Sequence, residues 1–283
     1  MIDNSFFFNT LIDNEIESFY GVPDSLLKNI CAFITDNTTQ ENHIIAANEG
    51  NALALGIGYY LSTGKIPLIY MQNSGLGNII NPLLSLADKE VYSVPLILLI
   101  GWRGKPGIKD EPQHIKQGRI TIDLLKTMEI PFKVISATTS ENEIKETLSK
   151  AVYTARKNNS QYAILVEKGT FSKYELSRST KTNLISRELA IQSIIDSLDE
   201  NSAIVSTTGV ASRELFEYRS KLGNGFEKDF LTVGGMGHAN QIALGIALNK
   251  RDKNIYCFDG DGAMLMHMGS LPIISSSKPS NYK

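Results

Sequence analysis

An excess of charge of either sign is missing. The 28 Lys and Arg against 30 Asp and Glu leave a formal net charge of −2 over 283 residues. Without a basic surplus, or aromatics interleaved with basic clusters, the chain has no nucleic-acid footprint and no polybasic membrane patch. Long apolar runs are missing too. The most apolar stretch, residues 94–102, is far shorter than the ~20 residues that cross a bilayer, and reads as a buried strand. The N-terminus, Met1-Ile2-Asp3-Asn4, lacks the basic start of a secretory signal. Cysteine is scarce: Cys31 and Cys257 sit in apolar segments and read as buried free thiols, not as a disulfide framework. These absences predict a cytoplasmic protein whose partners are small molecules, with no nucleic acid and no membrane.

What is present is an α/β alternation. Residues 43–46, 67–71, 95–100 and 162–166 have the apolar character of central parallel strands. Helical patterns fall between them at 50–62, 76–86, 120–128 and 141–156, with the short glycine-marked connections of βαβ units. Apolar periodicity fades over 169–185, the expected linker. A second alternation follows: helix 186–198, strand 203–206, helix 211–220, helix 238–248 and strand 254–258. The halves echo each other. Gly21-Val22 falls opposite Gly209-Val210, Leu55-Gly56-Ile57 opposite Leu244-Gly245-Ile246, and Gly75-Leu76-Gly77 opposite Gly260-Asp261-Gly262, at nearly constant offset. A duplicated fold accounts for that order, although short matches also arise by chance between βαβ domains.

Four segments could carry chemistry. Asp259-Gly260-Asp261-Gly262 follows a strand directly, where α/β ligand sites form. Its glycines would let a phosphate approach the backbone, and Asp261 could hold a magnesium ion. A tight acidic turn without a ligand has the same four residues. Glu49, in Ala46-Ala47-Asn48-Glu49-Gly50-Asn51-Ala52, lies where a strand gives way to a helix rich in small residues. Helix capping is the simple reading; room for a ring beside the carboxylate is the functional one. The glycine- and proline-rich segment 101–114 carries Arg103, Lys105, Lys109 and His114, enough cation for an anionic substrate, or merely a solvated loop. In Gly234-Gly235-Met236-Gly237-His238 the methionine either packs in the core or supports a flat apolar ligand.

Taken with Tyr20-Gly21-Val22-Pro23-Asp24-Ser25, Gln72-Asn73-Ser74-Gly75-Leu76-Gly77-Asn78 and Lys109-Asp110-Glu111-Pro112-Gln113-His114, these segments resemble the thiamine-diphosphate-dependent 2-oxo acid decarboxylases. Within that family they are most similar to the branch acting on 3-phosphonopyruvate. The resemblance covers essentially the whole chain. It implies two doubly wound parallel-sheet domains: a pyrimidine-binding domain at 1–168, then a diphosphate- and magnesium-binding domain at 186–283. It further implies active sites between the subunits of a homodimer or higher homo-oligomer. Glu49 would hydrogen-bond the aminopyrimidine ring and promote the imino tautomer that deprotonates the cofactor. Met236 would hold the cofactor bent, Asn73 and Gly235 would touch it, Gly260 and Gly262 would admit the diphosphate, and Asp261 would bind Mg2+. Asp24, Ser25, Arg103, Lys109 and His114 would contact the substrate, His114 with a catalytic share. The implied products are phosphonoacetaldehyde and CO2, a step toward 2-aminoethylphosphonate.

The match departs at one place. In the family the diphosphate motif runs on to an asparagine that completes the metal site. Here Asn281 is the one asparagine after Gly262, in a polar tail with no strand before it, and it does not fit that role. The second domain is therefore expected to be incomplete, with an unpaired sheet edge and an uncovered apolar face. Three other functions stay open: a sulfopyruvate decarboxylase, one subunit of a split enzyme, or an inactive remnant. A dinucleotide-binding protein is a much weaker reading, because no glycine fingerprint follows the first strand and no acidic residue stands at the required distance.

Overall fold

The computed structural model describes residues 1–177, 185–223 and 225–283. The chain divides into two compact units, Met1–Ser179 and Thr180–Lys283. Much of the linker expected at 169–185 lies outside the described residues.

The first unit runs α1 (Asn4–Asp13), β1 (Phe19–Gly21), α2 (Lys28–Asn37), β2 (His43–Ile45), α3 (Glu49–Thr63), β3 (Leu68–Gln72), α4 (Leu76–Pro82), β4 (Leu96–Gly101), α5 (Pro112–Thr127), β5 (Phe132–Ile135), α6 (Glu141–Asn158) and β6 (Gln161–Val166). Its six strands form a parallel sheet in the order β2-β1-β3-β4-β6-β5. Because side chains alternate across a strand, each strand feeds two cores. Leu68 and Tyr70 of β3, with Ile97 and Leu99 of β4, join Phe7, Leu11, Ile30, Ile34, Ile144 and Leu148 on one face. Ile69, Met71, Leu96, Leu98 and Ile100 point the other way, to Leu53, Ile57, Ile79, Leu83 and Leu125. Helices on both faces make the unit doubly wound.

The second unit continues with α7 (Arg187–Ser197), β7 (Ser202–Ser206), α8 (Val210–Leu222), β8 (Asp229–Leu231), α9 (Ala239–Asn249), β9 (Asn254–Phe258), α10 (Asp261–Met266) and α11 (Ser270–Ser277). Its parallel sheet has the order β8-β7-β9. Ala239, Ala243 and Ala247 pack on Val205 and Ile255 from one side, and Ile191, Ile195 and Leu215 on Ile204 from the other. The order β8-β7-β9 repeats the order β2-β1-β3 of the first unit.

Several expectations change. The sheet edge beyond β9 is partly covered: Ile255 and Cys257 donate their amides to the carbonyls of Asn281 and Lys283, and Lys283 donates back to Ile255. Asn281 is buried, with its amide directed at the carbonyls of Ala247, Lys250 and Lys253. It is a structural peg. The helix expected at 76–86 stops at Pro82, which has no N–H for the carbonyl of Asn78, and one π-helical turn follows at Leu83–Ala87. Segment 101–114 is not all loop, since α5 starts at Pro112, a residue suited to a first helical position. Cys257 is only half-buried, unlike Cys31.

Candidate active site

Open parallel sheets bind ligands beyond the carboxyl ends of their strands, where the strand order reverses direction. In the first unit that point lies between β1 and β3, because β2 is on one side of β1 and β3 on the other. In the second it lies between β7 and β9. The candidate residues gather at both points.

At the first, the chain leaves β1 and turns Asp24 back over the sheet. Its carboxylate is buried, with Oδ1 accepting from the Gln72 amide at 2.7 Å and Oδ2 from the Leu26 N–H at 2.8 Å. Ser74 donates to Gln72 Oε1 at 2.7 Å, so the end of β3 holds Asp24 through a relay. Glu49 opens α3 behind the Asn48 N-cap and is only 6% exposed. Its Oε2 accepts from Asn78 at 2.7 Å. A Cβ at position 75 would lie 2.6 Å from Glu49 Oε1, so only glycine leaves room for this carboxylate.

Segment 101–114 is tied down on every side. Trp102 donates its indole N–H to the Gly118 carbonyl at 2.9 Å. Arg103 Nε donates to Asp110 Oδ2 at 2.8 Å, a second guanidinium nitrogen donates to Asp110 Oδ1, and a third reaches Ser25 Oγ at 2.8 Å. That arginine holds the Asp110 carboxyl far below the usual carboxylate range. His114, on the first turn of α5, has its ordinary pKa lowered, first by burial and next by the Arg103 charge. Its Nδ1 is buried and has no hydrogen-bond partner among the described residues. Lys105 pairs with Glu167.

Two residues expected in the site are placed otherwise. Asn73 donates to the Arg103 carbonyl and to Thr121 Oγ1, both at 2.9 Å, and accepts from the Arg103 N–H at 3.0 Å. With its amide and its oxygen both committed it clasps β3 to segment 101–114, and it has no free donor for a cofactor ring. Lys109 lines a cavity with Ile108, Ile115 and Arg119 that neither Asp24 nor Ser25 borders.

At the second point, Thr207 donates its N–H to the Phe258 carbonyl at 2.7 Å, which sets the end of β7 beside Asp259. Asp259 accepts from Asn240 at 3.0 Å, and Asp261 Oδ1 accepts from the Gly262 N–H at 2.8 Å. Met236 sits between Gly235 and Gly237, both at positive φ. It is 41% exposed, so it is not a core residue, and a Cβ on Gly262 would be 3.2 Å from its methyl carbon. Thr207 is not among the residues the sequence singled out, and Gln72 stands there only as part of the Gln72–Asn78 motif, without a role of its own. The Thr207-Thr208-Gly209 turn was detectable as the counterpart of the turn after β1; nothing in the sequence marked Gln72 as the support of Asp24.

A family model described as "Thiamine pyrophosphate enzyme, N-terminal TPP binding domain" matches residues 4–126. Its companion, "Thiamine pyrophosphate enzyme, C-terminal TPP binding domain", matches residues 208–278. A phosphonopyruvate decarboxylase of Streptomyces viridochromogenes is 33% identical over 278 residues, 92% of this chain and 67% of that one. A sulfopyruvate decarboxylase of Methanosarcina acetivorans is 27% identical, over 92% of this chain and 68% of its own. In Methanocaldococcus jannaschii, the sulfopyruvate decarboxylase subunit alpha is 38% identical over 44% of this chain and 70% of its own. Subunit beta there is 40% identical over 32% of this chain and 46% of its own. The chain thus spans about two thirds of the length of the first two relatives.

Proposed function

The chain belongs to the thiamine pyrophosphate enzymes, in the carboxy-lyase group that includes the phosphonopyruvate decarboxylases, and from that premise we propose that it converts 3-phosphonopyruvate to phosphonoacetaldehyde and CO2. The observation that carries this reading is the buried Glu49 carboxylate at a strand-to-helix junction, seated in the room that Gly75 leaves for it.

The residues present fit the cofactor. Glu49 Oε2 is occupied by Asn78, and Oε1 packs against Gly75; the carboxylate held there would take a hydrogen bond from the aminopyrimidine ring. Met236 is an apolar side chain left partly in the open between two glycines, suited to supporting a ring. Gly260, beside Thr207, and Gly262, beside Met236, would admit the diphosphate. Among the described residues no group of three or more His, Cys, Asp and Glu could hold a metal by itself. Mg2+ would therefore sit between Asp261 and diphosphate oxygens, as this ion commonly uses one or two carboxylates together with phosphates. When bound, thiamine diphosphate supplies the sink for the electron pair left as CO2 departs.

The chain's own groups do the rest. Asp24, fixed by Gln72 and Leu26, and Ser25, fixed by Arg103, orient the 2-oxo acid. His114, held neutral by its surroundings, accepts or returns a proton at Nδ1 during aldehyde release. The two half-sites lie in separate units, and we place them together across a homodimer in the cytoplasm, with the aldehyde passing toward 2-aminoethylphosphonate. Among the described residues no helix is long and apolar enough to cross a membrane.

The Methanosarcina relative favours a second reading, sulfopyruvate as the substrate. Turnover of both acids by the purified chain, with thiamine diphosphate and Mg2+ added, separates the two. A higher kcat/KM for phosphonopyruvate supports the proposal; a higher value for sulfopyruvate replaces it with the second reading.

A further inference from the structure

Ser25 and Arg103 also line a second space that the sequence did not suggest. It is a cavity of about 360 Å3 bounded by Ser25, Lys28, Asn29, Arg103, Lys168 and Phe171. It opens where the β1–α2 connection, the start of segment 101–114 and the chain after β6 come together. Three of its lining residues carry positive charge and none carries negative charge.

Those three cations are not equivalent. Arg103 is already neutralised by Asp110, so toward the cavity it offers mainly N–H donors, one of them shared with Ser25. Lys28 and Lys168 make no ion pair among the described residues. Asn29 is held against the 171–174 segment by Phe171 and Tyr174, which fixes one wall. Lys28 is the first residue of α2, whose N-cap Leu27 makes no side-chain capping bond. The N–H groups of that ten-residue helix's first turn add to the field of the two lysines. Both lysines border the same concavity, and a divalent oxyanion seated there would attract both ammonium groups.

We propose that this cavity binds a small tetrahedral dianion of the phosphonate or phosphate kind, with Lys28 and Lys168 supplying the charge and Ser25 and Arg103 the orienting contacts. The occupant is the phosphonate head group of the substrate, which makes the two lysines specificity residues. That identity rests on the proposed function; binding of the dianion does not.

The test has two arms. In the first, inorganic phosphate and methylphosphonate are titrated into the full-length protein by calorimetry, alongside a Lys28→Gln/Lys168→Gln variant whose melting temperature shows that it folds. The expected result is binding that weakens at least about tenfold in the double variant and survives in Lys28→Arg/Lys168→Arg. Equal binding in the double variant, or none in the parent protein, overturns the site. In the second arm, the double variant is expected to raise KM for phosphonopyruvate with kcat little changed, and to leave turnover of pyruvate alone. An unchanged KM beside weakened phosphate binding overturns the head-group identity and leaves a site for a free anion. If phosphonopyruvate is not turned over at all, the proposed function fails, while the calorimetry still decides the site.

Discussion

A Cβ at position 101 would stand 2.2 Å from Asp24 Oδ2, so the last residue of β4 sets the space in which that carboxylate sits. Gly101→Ala is expected to push Asp24 Oδ2 off the Leu26 N–H and to cost about 1–3 kcal/mol, the usual penalty of overpacking. Urea unfolding measures it, and an unchanged midpoint would contradict this packing. A second prediction at this scale concerns pH. His43 Nε2 meets the buried Tyr70 hydroxyl at 2.9 Å, and burial lowers the His43 pKa from its ordinary 6.5. Below 6.5 the unfolded chain takes up a proton that the folded chain refuses, so stability falls as pH drops through that window and is recovered above it. His114 titrates in the same direction. His43→Gln should therefore reduce the slope of unfolding free energy against pH between 6.5 and the lowered value without abolishing it. At this scale the sequence was readable for position, as with Glu49 at the start of α3. It was silent where a role depends on a partner far along the chain. Gln72 and Asp24 are 48 positions apart, and the Asn73 amide is consumed by Arg103 and Thr121, which no local pattern reveals.

Among the elements, β9 matched its expected run residue for residue at Asn254–Phe258, because an apolar stretch is bounded by Lys253 on one side and an Asp-Gly turn on the other. Strands β1 and β8 span three residues each, too few for a period of two to emerge, and neither was anticipated. The start of α5 was missed because polar residues populate its first turn and the proline there reads equally well as a loop residue. The covered edge of β9 carries its own prediction. Asn281→Ala leaves the carbonyls of Ala247, Lys250 and Lys253 without their shared donor, a loss of about 1–3 kcal/mol for buried groups. Hydrogen exchange at the Ile255 and Cys257 amides, which bond the tail, should accelerate in the variant. Unaltered exchange there would show that the tail does not protect the strand.

For the molecule as a whole, one architecture serves twice. Each unit brings its candidate residues to the carboxyl ends of a parallel sheet at the point where strand order reverses, β1 against β3 and β7 against β9. The doubly wound class came with the family resemblance, while the parallel α/β alternation in both units followed from apolar runs and glycine turns, since burial on two faces leaves a readable signature. Which groups meet at those points did not, because the turns that deliver Asp24, Thr207 and Met236 carry little periodicity. Glu49 is the residue on which the proposed chemistry turns. The most direct measurement is aldehyde and CO2 formation from phosphonopyruvate, with thiamine diphosphate and Mg2+, by the parent protein and by Glu49→Gln, alongside cofactor binding to both. The predicted result is turnover in the parent protein and a loss of about 10²–10⁴-fold in the variant, with cofactor still bound. Turnover in the variant at the parental rate would contradict it.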